Sequence, residues 1–193
     1  EKLSALAQQG IDGHTPDAAL NETRWVGAFD AATCWHVLEH VDQPAELLRW
    51  ARSLLREDGA LDVNVPDFGS PQAGRWGRDW FHLDVPRHLH HFTRDTLCRA
   101  LDNAGLTPVH WRTMAFEYDL FGDVQSALNK TLRKKNVLFE SLTSGDATHV
   151  PRAKLRYASY AAAVPLMAWS LPRLLLETAR RRGPTLWVTC RRK

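Results

Sequence analysis

The sequence predicts an α/β fold with a helical insertion before its last strand, and three observations carry that reading. A short, largely uncharged run, "FDAATCWHV" (29–37), is followed by a leucine-periodic segment and then by the alternating run "ALDVNVP" (60–66), which is a strand–helix–strand unit. Residues 118–183 differ in composition and read as entirely helical. The end of the chain, "GPTLWVTCRRK", returns to strand character.

Each element follows from local chemistry. Residues 1–9 read as the end of an amphipathic helix closed by Gly10, and 11–27 as mostly loop, punctuated by Asp, Asn, Gly and Pro. Asp42 and Pro44 suit the start of a helix carrying Leu47, Leu48, Ala51, Leu54 and Leu55 at helical spacing, with Asp58-Gly59 as its stop. Residues 67–93 form a long segment rich in Gly, Trp and His, and segments of that length without periodicity usually serve a function. Thr93 caps a helix with Leu97, Ala100 and Leu101 on its inner face. Gly105 ends it, and "LTPVHWRTMAFEY" (106–118) supplies a third strand.

The 193 residues are 44% hydrophobic and 24% charged, which excludes a disordered chain and allows one core with an appendage. Cys34, Cys98 and Cys190 are far apart and form no C-x-x-C pair, so they read as reduced thiols of a cytoplasmic protein. The net charge of +3 conceals an asymmetry. Residues 1–129 carry 11 basic and 19 acidic side chains, a balance of −8, whereas 130–193 carry 14 and 3, a balance of +11. A basic tail on an acidic body suits an anionic surface or substrate, or simply a solvated helix face. Nucleic acid is not expected, because the charges surround an apolar helix instead of a stacking surface.

The phrase "FD…WHVLEHV…P…LL…ARSLLREDGALDVNVPD" resembles the second half of a class I S-adenosylmethionine-dependent methyltransferase, across residues 28–117 and 183–192. In that family "VLEHV" lies at the tip of the fourth strand, and "LLREDG" resembles the turn before the fifth. "GPTLWVTCRR" resembles the final antiparallel strand. The resemblance therefore implies the C-terminal part of a Rossmann-like sheet, with parallel strands and an antiparallel last strand. It divides the chain into an incomplete methyltransferase core (1–117), a helical insertion or cap (118–183) and the last core strand (184–193). It also implies S-adenosylmethionine as cofactor. The family's Gly-rich turn and the acidic strand end that holds a ribose have no counterpart before residue 28. This chain is accordingly expected to be a fragment that binds the cofactor weakly or not at all, while a longer parent binds it.

Ligands of open α/β sheets bind beyond the C-terminal ends of the strands. Cys34, Trp35 and His36 lie at such an end, and the resemblance makes them cofactor contacts, with Asp17 in a loop against the adenine. Glu39 and His40 follow, where a carboxylate and an imidazole could serve an acceptor as general base. The plain alternative has Glu39 pairing within its loop and His40 packing under the next helix. His36-Val37-Leu38-Glu39-His40 also fits the zinc-peptidase pattern H-x-x-E-H, but that chemistry needs both histidines on one helix face, and here a strand runs into His36. "DVPRHLHHF" is similar to the "E-H-x-x-Y-F" phrase of sugar C-methyltransferases, which makes His88 the catalytic imidazole. Arg87 stands where that phrase has Glu and offers a cation for an anionic substrate. Trp80 is expected as an apolar wall for the substrate, His91 as a further substrate-side group, and no metal is expected.

"YASYAAAVPLMAWSLPRLLLETARRRG" (157–183) is the most apolar stretch, flanked by "RAKLR" and "ARRRG". Its length approaches that of a membrane span. Two prolines and Arg173 instead suggest a buried or capping helix, or a helix lying in an anionic interface over 155–182. The expected function is methyl transfer from S-adenosylmethionine to oxygen or carbon of a small or lipid- or sugar-linked acceptor. The alternative is a non-catalytic binding or scaffold protein that keeps half of the fold.

Overall fold

The computed structural model describes residues 2–132, 134–143 and 153–193; part of the expected helical insertion (144–152), with Arg152 of its basic flank, lies outside them. Among the described residues, four strands form one sheet in the order β1-β2-β4-β3. They are β1 (Phe29–Trp35), β2 (Leu55–Pro66), β3 (Leu106–Arg112) and β4 (Thr185–Arg192). β1 runs parallel to β2, while β4 lies between β2 and β3 and is antiparallel to both. The α/β class, the parallel pair and the antiparallel last strand are as the sequence implied.

Eight helices surround the sheet among the described residues: α1 (Lys2–Gln8), α2 (Pro16–Leu20), α3 (Pro44–Leu54), α4 (Pro71–Trp76), α5 (Arg94–Asn103), α6 (Phe116–Thr131), α7 (Val137–Thr143) and α8 (Ala153–Ala179). The main core forms where α3 and α5 cover the sheet. Leu48 and Ala51 meet Leu61, Val63 and Val65 of β2, Leu97 and Leu101 of α5, and Leu186 and Val188 of β4. The helical spacing of the leucines and the alternation along β2 and β4 together create this seam. Thr93 caps α5 as expected: its hydroxyl accepts from the Thr96 amide, and the Thr96 hydroxyl accepts in return from the Thr93 amide.

Three boundaries differ from the sequence reading. Within 11–27, α2 starts at a Thr15 cap whose side chain accepts from the Ala18 amide. The helix expected to run to Asp58 stops at Leu54, and β2 begins at once with a fully buried Leu55. The extra residues are absorbed in a register slip, with Phe29 opposite Leu55 but Ala31 opposite Ala60. Gly59 suits this bulge because a Cβ there would crowd Leu55 and the Phe29 carbonyl. The third strand ends at Arg112, six residues early, because the Asp119 carboxylate accepts from the Ala115 amide at 2.7 Å and starts α6 there.

The helices after β3 are bound to the loop segment before α5 largely by polar contacts. Gln72 donates to the Asp119 carbonyl, the Trp76 indole N–H to the Asp123 carboxylate, the Phe81 amide to Ser126 and the Asn129 amide group to the Asp79 carbonyl. Trp76, Trp80 and Ala73 close this layer against Ala127. α8 packs on α6 through Ala163, Val124 and Leu128.

Asp119 is fully buried, and although Thr185 and Ala115 donate to it, desolvation pushes its carboxyl up from 3.8 to about 7. Between those values the folded protein holds a proton that the unfolded chain releases, so stability should fall as pH rises from about 4 to about 7. Asp119→Asn should flatten this slope. Urea midpoints at pH 5 and pH 8 for both proteins check it, and equal pH sensitivity would refute it.

Candidate functional site

The C-terminal end of β1 opens onto the site. After Trp35 the backbone enters the left-handed region at His36 (φ 49°), an unusual conformation for a residue with a side chain. The His36 amide still donates to the Asn64 carbonyl of β2 at 3.0 Å, so the sheet holds the strained residue in place. A single 3-10 turn, Leu38–His40, then buries Leu38 and Glu39 and leaves His40 exposed.

The loop before α5 is tied onto this tip. The amides of Leu89 and His90 both donate to the Glu39 carbonyl, at 2.8 and 3.2 Å. His40 Nδ1–H donates to the Arg87 carbonyl at 2.9 Å, and His88 Nδ1–H to the His82 carbonyl at 2.8 Å. A carbonyl can only accept, so each ring is fixed with its lone pair on Nε2. His88 Nε2 lies 4.0 Å from Glu39 Oε1, and the His40 and His88 rings meet edge to face at 4.6 Å. Burial lowers the His88 pKa, opposed mainly by its bond to His82 and by the Glu39 charge. Two residues of the turn after β1 thus join one that lies 48 positions beyond His40.

Glu39 is 1% exposed. Its Oε1 is 3.1 Å from His36 Nδ1, while Oε2 is buried without a partner, as is His36 Nε2. Tyr118 of α6 stacks on the His36 ring at 4.7 Å, and His82 lies 6.5 Å beyond on a parallel plane. His82 is buried against Gly122, and desolvation drives its pKa down to about 3, so it is neutral at physiological pH. Tyr118 stands where the sequence reading passes from strand to helix, and no signal in the sequence joined it to His36.

The remaining expected residues are spread over the fold. Trp35 is exposed beside Trp187 at 4.8 Å and Tyr118 at 6.4 Å, on the open side of the tip. Cys34 is buried in the main core, where desolvation raises its thiol to about 11. Asp17 sits exposed on α2. Arg87 is exposed and paired with Asp84 at 2.8 Å, so a guanidinium is available near the tip. His91 is half-buried, donating to the Leu83 carbonyl, with Phe68 at 5.3 Å. Trp80 differs from expectation: only 3% exposed, its indole N–H spent on Gln72 at 3.0 Å, it is part of the inner packing instead of an open wall.

The fit to a nucleoside cofactor is partial. The exposed Trp35 ring and the unpartnered His36 Nε2 suit one edge of such a ligand. Among the described residues no strand precedes β1, and no Gly-rich turn or carboxylate-tipped strand completes a cradle there.

A solved structure shares this architecture. The crystal structure of the [4+2]-cyclase SpnF superposes with a TM-score of 0.52 at 18% identity, over 98% of this chain and 61% of that one. A Burkholderia thailandensis 1,6-didemethyltoxoflavin-N1-methyltransferase, solved with bound 1,6-didemethyltoxoflavin and S-adenosylhomocysteine, gives 0.46 at 18% identity, over 98% and 56%. A SAM-dependent methyltransferase from Archaeoglobus fulgidus gives 0.46 at 16% identity, over 100% and 80%. The chain thus spans less than two thirds of the first two. No curated protein sequence matches it significantly. The sequence profile described as "Methyltransferase domain" matches residues 3–111, which covers α1 through β3, including the β1 tip, the Glu39 turn and the loop that carries His88. With more than half of the chain matched in the order the sheet requires, this protein belongs to the methyltransferase domain family.

Proposed function

We propose that the protein takes part in S-adenosylmethionine-dependent methyl transfer to oxygen or carbon of a small-molecule or lipid- or sugar-linked acceptor. The cofactor supplies an already activated methyl group. The protein's task is then to align the acceptor and take up its proton. The observation that carries the reading is the convergence of Glu39, His40 and His88 at the strand tip, with the lone pair of each imidazole on Nε2. His88 is the best-placed base: it is held by the His82 carbonyl, and the Glu39 carboxylate 4.0 Å away would stabilise the imidazolium. His40 and Glu39 complete the cluster. Arg87 would meet an anionic acceptor, and residues 118–183 serve as a cap that brings Tyr118 over His36. The test is transfer of labelled methyl from S-adenosylmethionine to a panel of hydroxylated and carbon-acid acceptors, in the protein at its natural length. Transfer to none of them overturns the reading.

A lipid-linked acceptor is supported by α8. No described helix is long and apolar enough to cross a membrane. Yet Tyr157, Val164, Met167, Trp169, Leu175 and Leu176 are exposed along α8, and Arg180, Arg181 and Arg182 follow it. An apolar exposed face next to a cationic cluster suits peripheral contact with anionic lipid over 155–182. Liposomes rich in anionic lipid should float the protein, and Trp169→Glu together with Leu175→Glu should leave it at the bottom. Flotation indifferent to these changes would dismiss the contact.

A further inference from the structure

We propose that Glu39, His40 and His88 form a three-ligand site for a divalent metal ion of the zinc type. Each residue offers one ligand atom, and these atoms lie within 4.8 Å of one another. A tetrahedral ion with bonds near 2.0–2.1 Å needs donors about 3.3 Å apart, so side-chain torsions must close the set by about 1.5 Å.

Three observations make the cluster a ligand set and not a chance meeting of polar groups. Both imidazoles donate Nδ1–H to backbone carbonyls, His40 to Arg87 and His88 to His82. That outer bond is the one metal-bound histidines nearly always make, since it fixes the ring and leaves Nε2 as ligand. Next, Glu39 Oε2 is buried with no hydrogen-bond partner, on a side chain 1% exposed, although its other oxygen is engaged by His36. A cation would satisfy that orphaned oxygen. Finally, the backbone is clamped, because the amides of Leu89 and His90 hold the Glu39 carbonyl.

The donor set also defines the ion. Two imidazoles and one carboxylate suit zinc, cobalt or another borderline first-row ion, whereas magnesium and calcium prefer mostly oxygen donors. Three protein ligands leave a fourth position open, the arrangement of a site where a water or substrate oxygen binds. The exposed His40 puts that position within reach of solvent. This departs from the sequence reading, which dismissed the H-x-x-E-H pattern because His36 and His40 do not share a helix face. The dismissal stands for His36, and His88 takes its place from a distant loop. Binding itself does not depend on the methyl-transfer reading; only the ion's role does, because with the ion bound the single lone pair of His88, on Nε2, is a ligand and no longer a base, and the ion takes over that task by holding and acidifying an acceptor hydroxyl.

The test is a titration of Co²⁺ into the untagged, chelator-stripped protein near neutral pH, followed by visible d–d absorption. One equivalent should bind and be displaced by Zn²⁺. His88→Ala and His40→Ala should each weaken binding about tenfold or more. His110→Ala, an exposed change on β3, should leave it unaltered. Circular dichroism confirms that each variant is folded. Absence of the d–d bands in the folded wild-type protein overturns the proposal, as does binding indifferent to both cluster variants. Methyl transfer that proceeds in protein unable to bind Co²⁺ removes the ion and leaves the proposed function standing. Cobalt bound at the cluster of a protein that methylates nothing confirms the site and removes that function.

Discussion

Replacing His88 with alanine should lower methyl transfer about a hundredfold or more, with little change in overall stability. The geometry sets this expectation. His88 Nε2 is the lone-pair nitrogen, because Nδ1–H is committed to the His82 carbonyl, and it faces Glu39 at 4.0 Å. Alanine removes the proton acceptor, whereas His88→Gln keeps much of the side-chain volume and can still donate to a carbonyl. If His88 were only packing, glutamine would restore activity; if it is the base, glutamine should be nearly as inactive as alanine. The loss should fall on kcat, since the group acts on the reacting proton. Near-normal turnover of His88→Ala in the natural-length protein would sink the assignment. Glu39→Gln should give a smaller loss, because the imidazole remains and only the charge that steadies its protonated form is gone.

The parts of this arrangement that could be read from the sequence were those fixed by local pattern. The β1 and β2 runs, the α3 stripe and the Thr93 cap each depend on neighbours a few residues apart, and all appear where expected within a few positions. The tip itself was legible because an uncharged run ends in a turn rich in chemistry. The geometry of the site was not. That Nε2 of His88 points toward Glu39 depends on the 3-10 turn at Phe81–Leu83 and on side-chain and backbone bonds spanning 47 residues or more, which no periodicity encodes. The third strand was read too long because "HWRTMAFEY" looks extended; the switch to helix comes from Asp119 reaching back to the Ala115 amide. Trp80 was misplaced for a similar reason. It was expected as an apolar wall for the substrate, but Gln72, eight residues earlier, accepts its N–H in the layer packed against α6. In each case a buried polar bond outweighed local propensity.

Gly183→Ala should destabilise the protein by about 3 kcal/mol, the upper end for forcing atoms into a filled site. Gly183 lies where the chain returns from α8 to β4, and a Cβ there would run into the carbonyl of Thr113, with Thr178 Oγ1 also close. The obstacle is backbone, so no rotamer change relieves it. Thr113 cannot retreat freely either, because Arg112 pairs with Trp187 across the β3–β4 ladder. The same neck carries the bond from the Asp67 amide to the Pro184 carbonyl and the Thr185 hydroxyl donating to Asp119. Any shift that accommodates the methyl therefore pulls on α6, and through Tyr118 on the ring of His36. Gly74→Ala provides the internal reference. It lies in α4, a Cβ there meets nothing within 4 Å, and alanine should stabilise the helix by about 0.5–1 kcal/mol. Urea denaturation of the two variants beside the parent checks both signs at once. If Gly183→Ala unfolds at the parent's midpoint, the neck between insertion and sheet is not rigid. The cap could then reposition without disturbing the strand tip, and Tyr118 would lose its claim to be part of the site.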